Sequence, residues 1–343
     1  MRRTGWSLHP PLYDPFVEQL SRTPTVCHVF QDTESDHAHF SREMVESLLA
    51  SGKFFWIDLE KPVPGDFEIL RDVFHFHPLA IEDSEKFGQR AKIEGYDDFT
   101  FIVVYGAAQD EDRLVEVHCF YSDRFLVTVH KDDCPAFSDL LGRYRRRAVP
   151  VDDPSLLLYK IVDSLVDSFF PILADLDDRI DELENSIFVK ADERELQEIF
   201  AMKRLLVGLR KAVTPQRDAF GSLMRGAAAL PGLSQEDERY FRDVYDHLIR
   251  ISDLIDSYRD LLTGAMDVYL STVSNRSNSV MKQLTLIATI FLPLTWITGF
   301  FGQNFGYMVG GIGGEVDFYL LGLGLEVLAV VGLLVMFRSR GWF

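Results

Sequence analysis

Residues 300–308, FFGQNFGYM, set two side-chain amides, Gln303 and Asn304, behind Gly302 at the end of an uncharged run. Amide and carbonyl oxygens are hard ligands. They can hydrogen-bond a hydrated Mg²⁺, an ion that gives up its water reluctantly and prefers oxygen donors. A cation-holding mouth is one reading of this stretch, and an ordinary glycine turn is the other. A second group of oxygens is anionic. Between residues 152 and 198 acids outnumber bases by more than three to one, most densely in DLDDRIDELE at 175–184. A helix so charged resists packing against its own copies unless cations screen it. The readings are a solvated face or a divalent-ion sensor. Asp246, Asp253, Asp260 and Asp267 recur every seven residues as one acidic stripe, with Asp267 nearest the apolar run.

Two apolar runs position the amides. LTLIATIFLPLTWITGFF at 284–301 and FYLLGLGLEVLAVVGLLVMF at 318–337 both have the roughly 20-residue length that crosses a bilayer. Arg276 and Lys282 precede the first, and Arg338 and Arg340 follow the second. The connector 302–317 has no Lys or Arg and carries Glu315 and Asp317. The positive-inside bias then places both termini in the cytoplasm and the connector outside, in a multi-pass protein of the cell (inner) membrane. Two spans enclose no aqueous path, so conduction requires several copies around an axis. The first span is the better liner. It carries Thr285, Thr289, Thr295, Thr298, Pro293 and Gly299 above a polar collar, Ser274–Ser279 (SNRSNS). The alternative for each threonine is a bond to its own helix. Running outward, the span ends at Gly302–Asn304 with the negative end of its dipole. Glu326, inside the second span, is expected to be protonated or to face the first span; proton coupling is the sharper reading.

Behind the spans, 1–150 alternates strand and helix signals. Strands are expected at 54–60 and 99–108, a helix at 65–75, and a hairpin over 115–130 that turns at Ser122–Asp123. This predicts an α+β cytoplasmic domain with a mixed or antiparallel sheet sandwiched by helices. Residues 151–283 read as a helical stalk, with helices at 155–188 and 192–225 and a third starting near Ser234 or Gln235 and running into the first span. Phe241, Val244, Leu248, Ile251, Ile255, Tyr258, Leu262, Ala265 and Tyr269 give that third helix a heptad seam that wants partners. Residues 284–301 and 318–337 are then the transmembrane helices, 302–317 the external loop and 338–343 a basic tail.

A net charge of −18 repels nucleic acid and attracts cations. Cys27, Cys119 and Cys134 give no metal or disulfide spacing, and the basic start lacks the apolar run of a secretory signal. No phosphate-binding glycine motif and no nucleophile–base constellation stand out, and His75 and His77 lack ligand company. An enzyme is not expected.

Gly-Gln-Asn after an apolar span resembles the Gly-Met-Asn signature of the CorA family of divalent-cation channels. YFRDVYDH at 240–247, 267–299 and HPLAIEDSEKFGQRAKIEGYDDFTFIV at 77–103 are similar to that family as well. The resemblance runs from about residue 55 to the end. It implies a homopentameric membrane channel for Mg²⁺, with Co²⁺ or Ni²⁺ as further cargo. It implies a selectivity filter at Gly302, Gln303 and Asn304, and a pore lined by Asn278, Met281, Leu284, Leu292 and Thr295. Met281 and Leu292 would be hydrophobic constrictions. Asp83 and Asp243 match the positions of regulatory divalent ions bound between subunits; read without the family, Asp83 is a helix-end acid. Asp267, Glu315 and Asp317 are the acids nearest the pore entrances. Gln303 departs from the signature's Met, and the zinc-transporting ZntB branch also varies this position, so a Zn²⁺ transporter, proton-linked or not, is the nearest alternative. A membrane-anchored coiled-coil sensor or scaffold is the alternative of another class.

Overall fold

The computed structural model describes residues 25–342 apart from 32–33, 38, 109–112, 134, 148–152, 229, 304 and 312–313. Asn304, Cys134 and the boundary expected at 150/151 lie outside the described residues.

Seven strands form one sheet in the order β2-β1-β3-β7-β6-β5-β4. They are β1 (Val26–Gln31), β2 (Glu34–His37), β3 (Phe55–Glu60), β4 (Lys92–Gly95), β5 (Thr100–Ala108), β6 (Arg113–Tyr121) and β7 (Phe125–His130). The sheet is mixed: β3 and β7 run parallel, with Ile57 opposite Val127, and every other pair is antiparallel. The hairpin turns where the sequence places it. The Ser122 hydroxyl accepts from the N–H groups of Arg124 and Phe125 and so closes the turn from the side chain.

The central strands β3, β5, β6 and β7 are mostly buried because helices cover both faces. On one face Phe55, Ile57, Leu59, Phe101, Phe120 and Val127 meet α1 (Arg42–Ser51), α2 (Pro64–Asp72) and α3 (Pro78–Lys86) through Val45, Phe67 and Ile81. On the other, Trp56 packs against Phe137 and Tyr144 of α4 (Pro135–Arg147). There α5 (Pro154–Asp167) comes so close to β5 that a Cβ on Gly106 would sit 2.8 Å from Leu165 Cδ2 and 3.2 Å from the Leu165 carbonyl. Only glycine fits that crossing.

The helix expected over 155–188 is two helices, α5 and α6 (Phe169–Val189). One cause is local and one is distant. Pro171 has no N–H to offer the Asp167 carbonyl, and the Ser168 hydroxyl instead donates to the Leu165 carbonyl while accepting from Ala107 N–H on the sheet. Next, α7 (Glu193–Met224) matches the helix expected at 192–225. The last long helix, α8 (Asp237–Phe301), is continuous over 65 residues. It starts at a reciprocal cap in which Ser234 Oγ accepts from Asp237 N–H and the Asp237 carboxylate accepts from Ser234 N–H. The heptad seam is buried from Phe241 to Ala265, whereas Tyr269 is half-buried. After a short helix α9 (Gly306–Gly311), α10 (Glu315–Ser339) follows, with a π-helical stretch at Phe318–Gly324. Both α8 and α10 are long and apolar enough to cross a bilayer. Compactness divides the chain into two units, residues up to Asn185 with Arg194–Ala265, and Ser186–Glu193 with Met266 onward.

The sheet buries a polar chain. Trp56 Nε1 donates to Thr128 Oγ1, which donates to Asp58 Oδ1, and Asp58 lies 3.3 Å from His130 Nε2. Burial pushes the His130 pKa down, but the Asp58 carboxylate outweighs it and lifts the value from 6.5 to about 9. A folded pKa raised in this way stabilises the fold fully below the unfolded value, and the gain is lost as pH rises through 9. His130→Gln is expected to lose about 2–3 kcal/mol near pH 6 in detergent, with the deficit narrowing toward alkaline pH. Thermal melts across pH check this, and a deficit that stays constant with pH contradicts it.

Candidate metal centre and pore-lining face

Asp163 and Asp167 are one helical turn apart on α5, and Asp243 and His247 are one turn apart on α8. Spacing of i, i+4 puts each pair on one face. The buried seam residues Val244 and Leu248 and the buried Val162 and Val166 hold these helices in the same packed unit. The ligand atoms of Asp163, Asp243 and His247 all fall within 4.8 Å of one another. His247 Nδ1 lies 2.9 Å from Asp167 Oδ1 and 3.8 Å from Asp163 Oδ1, and Nε2 lies 3.9 Å from Asp243 Oδ1. The Tyr159 hydroxyl donates to Asp243 Oδ2 at 3.4 Å. Neither Asp163 Oδ1 nor His247 Nδ1 has an aligned hydrogen bond. Burial, together with the carboxylates of Asp167 and Asp243, pushes Asp163 from 3.8 up to about 6, although His247 pulls the other way. Three carboxylates and an imidazole at these distances form an oxygen-rich, partly exposed donor set suited to a divalent cation.

Asp83 lies elsewhere in the same unit, in the last turns of α3. Its Oδ2 accepts from Lys92 Nζ at 2.7 Å, and Lys92 also reaches Glu94 Oε2 at 2.7 Å. Among the described residues Asp83 and Asp243 share no partner within the chain. The helix that carries Asp83 is tied down from behind. Ser84 and His118 are fully buried, with Ser84 Oγ 2.9 Å from His118 Nδ1 and His118 Nε2 2.7 Å from Glu116 Oε1. This order of groups mimics a hydrolase relay, but a hydroxyl with no exposure meets no substrate. Glu116 also accepts from the N–H groups of Gly88 and Gln89. Those bonds hold Phe87, the residue after α3, at φ +52°, a strained conformation for a side chain of that size, with its ring stacked on His118.

In the second unit, α8 separates its faces. Ile297 is buried and Leu286, Thr289, Ile290, Pro293 and Leu294 are half-buried, whereas Asn278, Met281, Leu284, Leu292 and Thr295 are exposed, as are Ile287, Phe291 and Trp296. At about 100° per residue the first five exposed residues span an arc of about 120° opposite the half-buried stripe. The Thr295 hydroxyl donates to the Phe291 carbonyl, as Thr285 and Thr298 do to Met281 and Leu294, so the threonine hydrogens are spent on the helix. Pro293 leaves the Thr289 carbonyl without its helical donor. The helix stops at Gly302, whose N–H bonds the Thr298 carbonyl at 2.9 Å; a Cβ there would lie 3.0 Å from that same oxygen. Gln303 is exposed. Asp267 is exposed, and Glu315 and Asp317 occupy the first turn of α10, where acids also offset the helix dipole.

Asp163, Asp167 and His247 were missed by sequence reasoning. The i, i+4 pairing of Asp243 with His247 in RDVYDH, and of the two aspartates in VDSLVD, is the signal that could have found them.

A helix that starts in a carboxylate-rich domain and continues unbroken into an apolar span long enough to cross a bilayer is the architecture of a membrane protein. The family model described as CorA-like Mg²⁺ transporter protein matches residues 51–339. The cobalt/magnesium transport protein CorA of Thermotoga maritima is 38% identical over 247 residues, 69% of each chain. The zinc transport protein ZntB of Pectobacterium carotovorum is 28% identical over 203 residues, 58% of this chain and 60% of that one. The complete structure of the CorA magnesium transporter from Methanocaldococcus jannaschii superposes with a TM-score of 0.78 at 25% identity, covering 93% of this chain and 99% of that one. The chain belongs to the CorA family and is a divalent metal-ion transporter.

The raised Asp163 pKa means that, without a cation, the ionised carboxylate costs stability as pH rises from its unfolded value through about 6. In EDTA at neutral pH, Asp163→Asn is therefore expected to stabilise the protein by about 1 kcal/mol, after allowance for solvent screening. The gain should vanish below about pH 4, where both states bind the proton. Thermal melts with and without EDTA measure it, and a destabilised variant at pH 7 contradicts the account.

Proposed function

We propose that the chain is a Mg²⁺ channel, able to pass Co²⁺ or Ni²⁺, built from five copies around an axis in the cell (inner) membrane with both termini cytoplasmic. The observation that carries this is the division of α8. The residues expected to line a pore fall within one exposed arc of α8, opposite its half-buried stripe, and the helix ends just beyond them at a glycine. Five such ends concentrate negative dipole potential at the outer mouth. The Gly302 carbonyl faces the ion there, and Asn304 with Gln303 holds the ion in its water shell through amides rather than through direct carboxylate ligation. Met281 and Leu292 narrow the path below it, and Asp267 on the inside and Glu315 and Asp317 outside raise the local cation concentration.

Gating follows from the carboxylates. Asp83 of one copy and Asp243 of its neighbour, the latter already grouped with Asp163 and His247, repel one another unless a divalent ion bridges them. High internal Mg²⁺ favours the closed, symmetric assembly and ion loss releases it. The second reading, a Zn²⁺ transporter, is favoured by Gln303 in place of Met and by the likeness to ZntB. Imidazole ligation by His247 would suit zinc as well.

Flux into proteoliposomes separates the readings. Uptake of Mg²⁺ driven by membrane potential, reduced at least about a hundredfold by Asn304→Ala, is expected, since the mouth loses its ligand for the hydrated ion. Zn²⁺ uptake that needs a pH gradient and Glu326 would transfer the assignment to zinc. Absence of any cation flux would leave the sensor or scaffold.

A further inference from the structure

Lys92 occupies an unusual place beside Asp83. Its ammonium sits 2.7 Å from Asp83 Oδ2 and 2.7 Å from Glu94 Oε2, with the Phe101 ring centroid 5.4 Å away. The carboxylate and the ammonium are both partly open to solvent, at 23% and 26% exposure, so an ion can reach them. The two elements are α3 and β4, and β4 is fixed to the sheet by its register with β5, Lys92 opposite Val103. The tether is short: the two charges are nine positions apart, and the intervening backbone at Gly88 and Gln89 is clamped by Glu116.

We infer that Lys92 is a tethered competitor for the divalent cation at Asp83 and sets the cation concentration at which the transporter responds. This rests on the reading of Asp83 as a regulatory ligand. A Mg²⁺ bound at about 2.1 Å from the Asp83 oxygen cannot share that oxygen with an ammonium at hydrogen-bond distance, because the two cations would lie within a few ångströms of each other. One must leave. Lys92 is able to leave because Glu94 is already within reach as its alternative partner. The swing therefore costs one ion pair and not the burial of an unpaired charge. A lysine with no second acceptor would hold Asp83 permanently. An Asp83 with no lysine would stay loaded at trace cation. The Asp83–Lys92–Glu94 arrangement lies between these and places the response at a finite threshold. The neighbouring Lys86 is a natural control: it is one turn of the same helix away, but it is paired with Glu82 and is mostly exposed.

The experiment measures the Mg²⁺ midpoint for block of flux in proteoliposomes and, independently, for Mg²⁺ protection of the full-length protein against protease. Lys92→Gln is expected to lower both midpoints about tenfold, the size of effect that one charge exerts on a divalent ion at such distances in a partly solvated site. Lys92→Arg should stay near wild type, and Lys86→Gln should shift the midpoints less than about twofold because its charge is already screened. Glu94→Gln should raise the midpoints, and should do so less in the Lys92→Gln background. If Lys92→Gln lowers thermal stability in EDTA yet leaves both midpoints unmoved, Lys92 is a structural ion pair and the inference is overturned. If Asp83→Ala raises the midpoints while Lys92→Gln fails to lower them, the ligand reading stands and the competitor alone is wrong. If neither variant moves them, both are wrong.

Discussion

Repulsion between carboxylates held at fixed distances is the interaction on which the rest of this molecule turns. With a net charge of −18 the chain must supply counter-ions wherever packing brings acids together. In several places it does so with arginine: Arg179 serves Asp175 and Glu198, and Arg210 and Arg259 serve Asp256. Around His247 the ion pairs of Asp163, Asp167 and Asp243 converge on an imidazole instead. Unit charges 4 Å apart interact by about 1 kcal/mol in water and about 4 kcal/mol near a protein surface. A folded chain bears such a cost where something outside it removes the cost. A divalent cation is the natural agent, and a concentration-dependent one.

The long helix gives that local electrostatic event a route. Asp243 and His247 stand in its second and third turns, and Gly302 follows its last residue. Between them Gly264 and Pro293 are the points where the hydrogen-bond ladder or the side-chain packing is weakened. The seam from Phe241 to Ala265 is buried, whereas the face from Asn278 to Thr295 is exposed. Packing thus fixes one end of the helix and leaves the other to partners. In the proposed channel, a change in how copies meet at the acidic end would be felt along this helix, because an α-helix bends poorly except at prolines and similar breaks.

Much of this was legible in the sequence because it follows short-range rules. The hairpin at Ser122, the Ser234 cap that precedes α8 and the heptad seam up to Ala265 are all local patterns, and each stands where the pattern puts it. The failures have long-range causes. The 155–188 segment reads as one helix by periodicity, but Ser168 is drawn off by a strand residue, Ala107, that is 61 positions away. The acidic cluster was half seen. Asp243 was named, while Asp163 and His247 were passed over because α5 and α8 are separated by about eighty residues of sequence, and no periodicity reports which helix faces which. Lys92 was likewise invisible as a partner of Asp83, since their meeting depends on β4 folding back along α3. The threonines of the first span went the other way. The hydroxyls of Thr285, Thr295 and Thr298 are bonded to their own helix, as local chemistry alone would have them.

The two kinds of site differ in ligand for a physical reason. A conducting site must bind weakly enough to release its ion, whereas a sensing site must bind tightly enough to report a concentration. At the proposed mouth, amides and carbonyls offer dipoles and no formal charge, so a hydrated ion would be held through its water. At the proposed sensor, carboxylates offer charge, and a bare or partly hydrated ion would be held directly. Placing carboxylates at the mouth would deepen the well and slow release. Placing amides at the sensor would leave nothing for the ion to neutralise, and ion loss would then change no energy. The Lys92 ammonium belongs to the second kind of chemistry. Only where the ligand is an anion can a side-chain cation compete for it, so a threshold set by lysine is available at Asp83 and is not available at Asn304.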